Sequence, residues 1–198
     1  MEELAEMRKI YEANRCGRKS SLSPEAVFFA DERAYASLFS KSPQLKGIPL
    51  TRTAMGNTGV PYDSCMAEDA DSILHRYKAA VFPMPIASEA GKRAMALCDQ
   101  MGIPYLTASA DHPTLSIEEL KNFYKKSGVH FYTEENDVVY VGNGYLALHS
   151  AVGGKKRMRL PSHYTATPVF GADGFSQTEA DIIFTLKPNA TALFSIAP

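Results

Sequence analysis

Between residues 24 and 132 short, continuous apolar runs alternate with amphipathic stretches. This alternation constrains the fold more than any other feature of the chain. Strands that are apolar on both faces need cover on both faces, and helices returning between them supply it. The segment therefore predicts an α/β architecture built on a parallel sheet. Residues 26–30, 60–66, 79–82, 103–107 and 129–132 are the expected strands. The first, Ala26-Val27-Phe28-Phe29-Ala30, runs straight into Asp31-Glu32-Arg33. A helix over 88–101 places Ala90, Ala94, Met95, Leu97 and Cys98 on one face and stops at Gly102. A second begins at Ser116, with Glu119 at the capping-box position and Leu120 and Phe123 inward. The natural arrangement is a doubly wound, flavodoxin-like three-layer sandwich.

Both flanks differ in texture. Residues 2–14 carry Leu4, Met7, Ile10 and Tyr11 on one helical face, and Gly17 stops the pattern within a basic break. After Glu134 the sequence turns to antiparallel β. Asp137 to Val141 and Tyr145 to His149 flank Gly142-Asn143-Gly144, a strong hairpin signal because Asn-Gly accepts positive φ. Gly153-Gly154 turns into 156–160, and 167–170, 181–186 and 192–196 are further strands. They either extend the sheet or form an appended one. The expected division is a lead-in helix (1–20), an α/β domain (21–134) and a hairpin-rich C-terminal β subdomain (135–198).

Composition narrows the function classes. With 21 basic against 22 acidic residues the chain has no long-range field for a polyanion, so no nucleic-acid partner is expected. No apolar run suits a membrane span, and no signal peptide is visible, which favours a cytoplasmic address. Cys16, Cys65 and Cys98 form no C-x-x-C pair, so neither a zinc ribbon nor a redox couple is expected. Their ordinary role is packing. No cofactor or metal is expected.

Open α/β sheets bind ligands at the carboxyl ends of their strands. Those ends offer Asp31 and Arg33, then Asp69, then Asp111 and His112; Tyr62 and Asp63 are added as candidates within the second strand. An ordinary alternative for strand-end polar groups is capping the next helix. A nucleophile elbow after the third strand would need a Cys or Ser among glycines. Phe82-Pro83-Met84-Pro85-Ile86 has neither, and its prolines remove N–H groups an oxyanion hole could use. Neighbours Ser109, Asp111 and His112 rarely converge as a triad. His130, His149 and His163 lack metal-ligand spacing, and His149 reads as strand packing. The run Lys155-Lys156-Arg157-Met158-Arg159 reads as a solvated edge that resists strand addition.

The order of segments is specific. Glu2 to Glu12 leads through a basic break into Pro24-Glu-Ala-Val-Phe-Phe-Ala-Asp-Glu32. Gly59-Val-Pro-Tyr-Asp63, Glu68-Asp69 and Tyr77-Lys-Ala-Ala-Val-Phe-Pro83 follow, then Gly128-Val-His-Phe-Tyr132 and a β-rich tail with Leu160-Pro161. This resembles the trimerisation domain that follows the catalytic barrel in β-galactosidases of glycoside hydrolase family 42. The resemblance implies a class I glutamine amidotransferase-like fold without amidotransferase activity. Its implied role is a non-catalytic accessory domain that assembles subunits and walls one side of the barrel's mouth. The implied partners are a catalytic barrel and further copies of the chain, with a galactoside as ligand. The catalytic glutamates belong to the barrel, so no catalytic residue carries over. The chain is then an excised domain, a fragment or a free-standing relative. A free-standing sugar-binding or regulatory protein, using the strand-end crevice at Asp31 and Asp111, is the alternative. A residual amidotransferase-type hydrolase would need a reactive thiol.

Overall fold

The computed structural model describes residues 2–14, 22–31, 43–84, 88–161 and 164–198. Cys16, Arg33, Pro85, Ile86 and His163 lie outside the described residues.

Strands β1 (Ala26–Ala30), β2 (Tyr62–Met66), β3 (Ala79–Phe82) and β4 (Tyr105–Thr107) form one parallel sheet in the order β2-β1-β3-β4. Alternate residues of the central strands enter two separate cores, as the pleat requires. Ala26, Phe28, Ala79 and Val81 pack with Ile48 and Met55 of α2 (Pro43–Gly56) and with Leu120 and Tyr124 of α5 (Ile117–Lys126). Val27, Phe29, Ala80 and Phe82 pack with Ala70 of the short α3 (Ala70–Ile73) and with Ala90, Ala94 and Cys98 of α4 (Glu89–Met101). Helices thus cover both faces of the sheet.

The helix ends follow their sequence signals. The Ser88 hydroxyl accepts from the Gly91 N–H to open α4, and Gly102 closes it at φ 66°. At α5 the Ser116 side chain accepts from the Glu119 N–H while Glu119 accepts from the Ser116 N–H, completing the capping box. Helix α1 (Glu2–Asn14) occupies the lead-in, with Met7 and Tyr11 mostly exposed one turn apart.

The tail forms two antiparallel sheets of its own and does not extend the parallel one. Strands β5 (Val138–Gly142), β6 (Tyr145–Ser150), β8 (Thr165–Phe170) and β11 (Ala190–Ala197) assemble as β5-β6-β11-β8. Strands β7 (Gly154–Arg159), β9 (Asp173–Gln177) and β10 (Asp181–Leu186) assemble as β7-β10-β9. Leu146, Leu148, Met158, Ile182, Phe184, Ala192 and Phe194 fill one shared core, which Leu22 and Tyr132 join. The β5–β6 hairpin turns on Asn143 at φ 53° and Gly144 at φ 79°, the two positive values of a tight two-residue turn.

Several elements depart from the sequence reading, among them β9 and the short α3, which were not expected. Residues 129–132 are not a strand. Their bonds go instead to separate partners: the His130 N–H to Glu25, the Tyr132 N–H to Gly59 and the Tyr132 carbonyl to Arg159. Helix α2 was not expected, since Gly47 and Pro49 lie inside it. Lys156 does not lie on a solvated edge. It points into the tail and is buried against Asp137 at 2.8 Å, while Arg157 and Arg159 on the other face stay exposed.

Candidate functional site

Two cavities lie at the amino ends of the parallel strands, where the tail meets the sheet. Glu25 immediately precedes β1, and its backbone carbonyl accepts from the Lys78 N–H at 2.7 Å just before β3. Its side chain pairs with the Lys78 ammonium at 2.7 Å and accepts from the His130 N–H at 2.8 Å. The His130 ring bonds the Arg159 carbonyl at 2.9 Å and stands edge-on to Tyr132 with 4.7 Å between ring centres. Arg157 and Arg159 both reach the Asp181 carboxylate. Two cavities, of ≈ 250 Å³ and ≈ 860 Å³, share Glu25, Lys78, His130, Tyr132 and Pro161 and form one polar seam groove.

Charge in this groove is paired. Glu25 holds Lys78, Asp181 holds two arginines, Glu134 holds Lys125 and Glu135 holds Lys156. Burial pushes the Tyr132 hydroxyl well above its ordinary range, so it stays protonated. Such a set clamps two layers together.

A second groove of ≈ 380 Å³ runs between β2 and β5. Tyr62 of β2 and Tyr140 of β5 line it, with Arg52, Thr53, Gly56, Asn57 and Ser64. The Tyr62 hydroxyl donates to the Arg52 carbonyl at 3.3 Å, and burial raises its pKa.

The structure distributes the residues expected at a site over several places. Asp31 is buried at the carboxyl end of β1, where the described residues leave a cavity of ≈ 10 Å³, room for about one water. Asp69 is exposed on the turn after β2, and its carbonyl accepts from the Ser72 hydroxyl. Asp111 and His112 are exposed after β4, where His112 contacts Glu119 at 2.9 Å. The Ser116 bonds hold the Glu119 carboxyl below the usual carboxylate range. Tyr62 and Asp63 are neighbours on β2 and face opposite ways: Tyr62 packs toward Phe28, whereas Asp63 accepts from the Tyr77 hydroxyl at 2.8 Å. Burial, then that bond to Asp63, drives the Tyr77 pKa well up.

Burial also pushes the Cys98 thiol up to about 11, and it raises that of Cys65. Neither matches an activated nucleophile, whose pKa is lowered. Among the described residues no group of three or more His, Cys, Asp or Glu could hold a metal ion. No helix among them is long and apolar enough to cross a membrane.

No protein-family model matches the chain, and no curated protein matches it in sequence. Solved structures do. Gan42B, a GH42 beta-galactosidase, aligns over 87% of this chain and 40% of its own, at TM-score 0.56 and 10% identity. A beta-galactosidase from the psychrophilic Marinomonas ef1 aligns over 96% of this chain and 41% of its own, at TM-score 0.57 and 10% identity. The chain shares its fold with part of these enzymes. It spans about two fifths of their length.

Sequence reasoning looked to the carboxyl ends of the strands and missed Glu25, Lys78, His130 and Arg159. The available signal was positional: Glu25 and Lys78 each stand one step before a continuous apolar run, at the ends where the tail attaches.

Proposed function

We propose that this chain is a non-catalytic accessory and oligomerisation domain of a β-galactosidase-like glycoside hydrolase whose catalytic barrel lies elsewhere. In this reading residues 1–20 are the lead-in, 21–134 the amidotransferase-like α/β domain and 135–198 the β subdomain. One observation carries it: a parallel sheet followed by an antiparallel tail aligns over 96% of the chain with a beta-galactosidase. The order β2-β1-β3-β4 is that of flavodoxin-like sheets as far as it extends, which supports the amidotransferase-like assignment. The absence of Cys and Ser from 82–86 and the high thiol pKa of Cys98 favour a scaffold over amidotransferase chemistry. Met7 and Tyr11 give α1 an apolar stripe suited to a barrel or a second subunit.

The test is the size of the native polypeptide, by blotting source cells with an antibody against this chain. A barrel adds at least about 200 residues, so the band should run roughly 20 kDa or more above this chain. A band at the chain's own 21.7 kDa would overturn the reading. Sedimentation of the chain at tens of micromolar should show self-association, and a strict monomer would remove the oligomerisation role.

A further inference from the structure

We propose that the groove between β2 and β5 binds one sugar ring. The site is argued from its own chemistry, and only the choice of galactose as probe rests on the reading above. At ≈ 380 Å³ the groove falls in the range of about 300–1,000 Å³ typical of small-molecule pockets. Its two long walls each supply an aromatic ring: Tyr62, half-buried and anchored through its hydroxyl, and Tyr140, which is 64% exposed on an edge strand. A tyrosine offers an apolar face with a polar tip, which suits a ring that is apolar on its C–H face and polar at its rim.

The remaining lining sets polar groups beside the apolar Val138 and Val139. Arg52, Thr53 and Gly56 lie in the last two turns of α2, and the Thr53 carbonyl accepts the Asn57 N–H at 3.3 Å. Two carbonyls there already accept side-chain donors, Arg52 from Tyr62 and Thr53 from the Asn57 amide at 2.9 Å. Arg52 is the one formally charged residue of the lining, and the Ser64 hydroxyl and the Asn57 carbonyl add acceptors. Gly56 keeps the groove open, since a Cβ built there meets nothing within 4 Å.

NMR titration of the 198-residue chain with D-galactose tests the site. Galactose should give saturable amide shifts at Arg52, Asn57, Tyr62, Ser64 and Tyr140. Tyr140→Phe should keep binding, Tyr140→Ala should weaken it about tenfold, and Gly56→Leu should abolish it with the rest of the spectrum unchanged. The proposal is overturned if galactose produces no saturable shift in this groove, if the shifts map to the seam or to Asp31, or if Tyr140→Ala binds as well as the parent chain. A better fit to an extended peptide pairing along β2 would overturn it too. None of these outcomes alters the native size or assembly of the polypeptide, so failure here is distinct from failure of the accessory-domain reading.

Discussion

In the parallel sheet the central strands bury both faces: every residue of β3 is buried, as are the first four of β1. In the tail, strands bury one face and leave the other half-buried, as β6 does throughout and β11 does from Ala192 to Ile196. The difference decides where chemistry can reside. A strand buried on both sides can present function only from its ends, and Glu25 and Lys78 stand at such ends. A strand buried on one side can carry a charged row along its length, as Arg157, Arg159 and Asp181 do. Lys156 breaks that division, being a charge placed on the buried side.

Two core truncations test whether the regions are energetically separate, and they carry the largest effects. Phe82→Ala in the sheet and Phe194→Ala in the tail should each cost about 3–5 kcal/mol. Hydrogen exchange should show lost protection confined to β1–β4 in the first variant and to β5–β11 in the second. Uniform loss across both would mean that the Glu25–His130–Arg159 seam couples them into one unit.

Next in size is the charge that breaks the pattern. Asp137→Ala removes the buried one of the two carboxylates that hold the Lys156 ammonium, leaving Glu135, and should cost up to about 3 kcal/mol in urea unfolding, with partial recovery in the double variant with Lys156→Met. Burial disfavours the Lys156 charge, but its bonds to Asp137 and Glu135 and their charges outweigh that and raise its pKa. Because the folded chain holds this proton more tightly than the unfolded chain, the contribution is complete below about pH 10. It is lost as pH rises through the folded value. A urea midpoint for Lys156→Met with the same alkaline fall as the parent chain would contradict this account.

The smallest effect belongs to the sheet's cover. Ser116→Ala removes the α5 cap and should cost about 1 kcal/mol, without disturbing protection in the tail. Since Glu119 has a lowered pKa, its share of the capping box is present above its unfolded value and fades as pH falls. Thermal melts of both forms between neutral and acidic pH should therefore converge.

Much of this was legible in the sequence where a local signal decided the outcome. Four parallel strands, the Ser116 cap, the Gly102 stop, the Asn143-Gly144 turn and the packing of Cys98 all follow from neighbours along the chain. Helix α2 was hidden because its reason is tertiary. A Cβ at Gly47 would lie 1.8 Å from the Pro113 carbonyl oxygen, and Thr51 accepts the Leu115 N–H at 3.0 Å, so long-range contact overrides poor helix formers. Residues 129–132 have the apolar texture of a strand, but their donors go to Glu25 and Gly59. The grooves were hidden for the same reason. Alternation reveals which side of a strand is buried; it does not reveal that the tail docks on the amino ends of the sheet or that β5 comes to lie beside β2.

The position of β11 governs the order in which the molecule can be born. As the last strand it sits between β6 and β8, so its four-stranded sheet lacks an interior member until residue 197 has left the ribosome. The parallel sheet and its helices are complete some seventy residues earlier, by Lys126. During synthesis at about 5–20 residues per second, the first region has seconds to settle while Leu146, Leu148 and Met158 wait without their cover. Nascent chains stalled before β11 should be the form that chaperones hold, and release of the last strand the event that frees them.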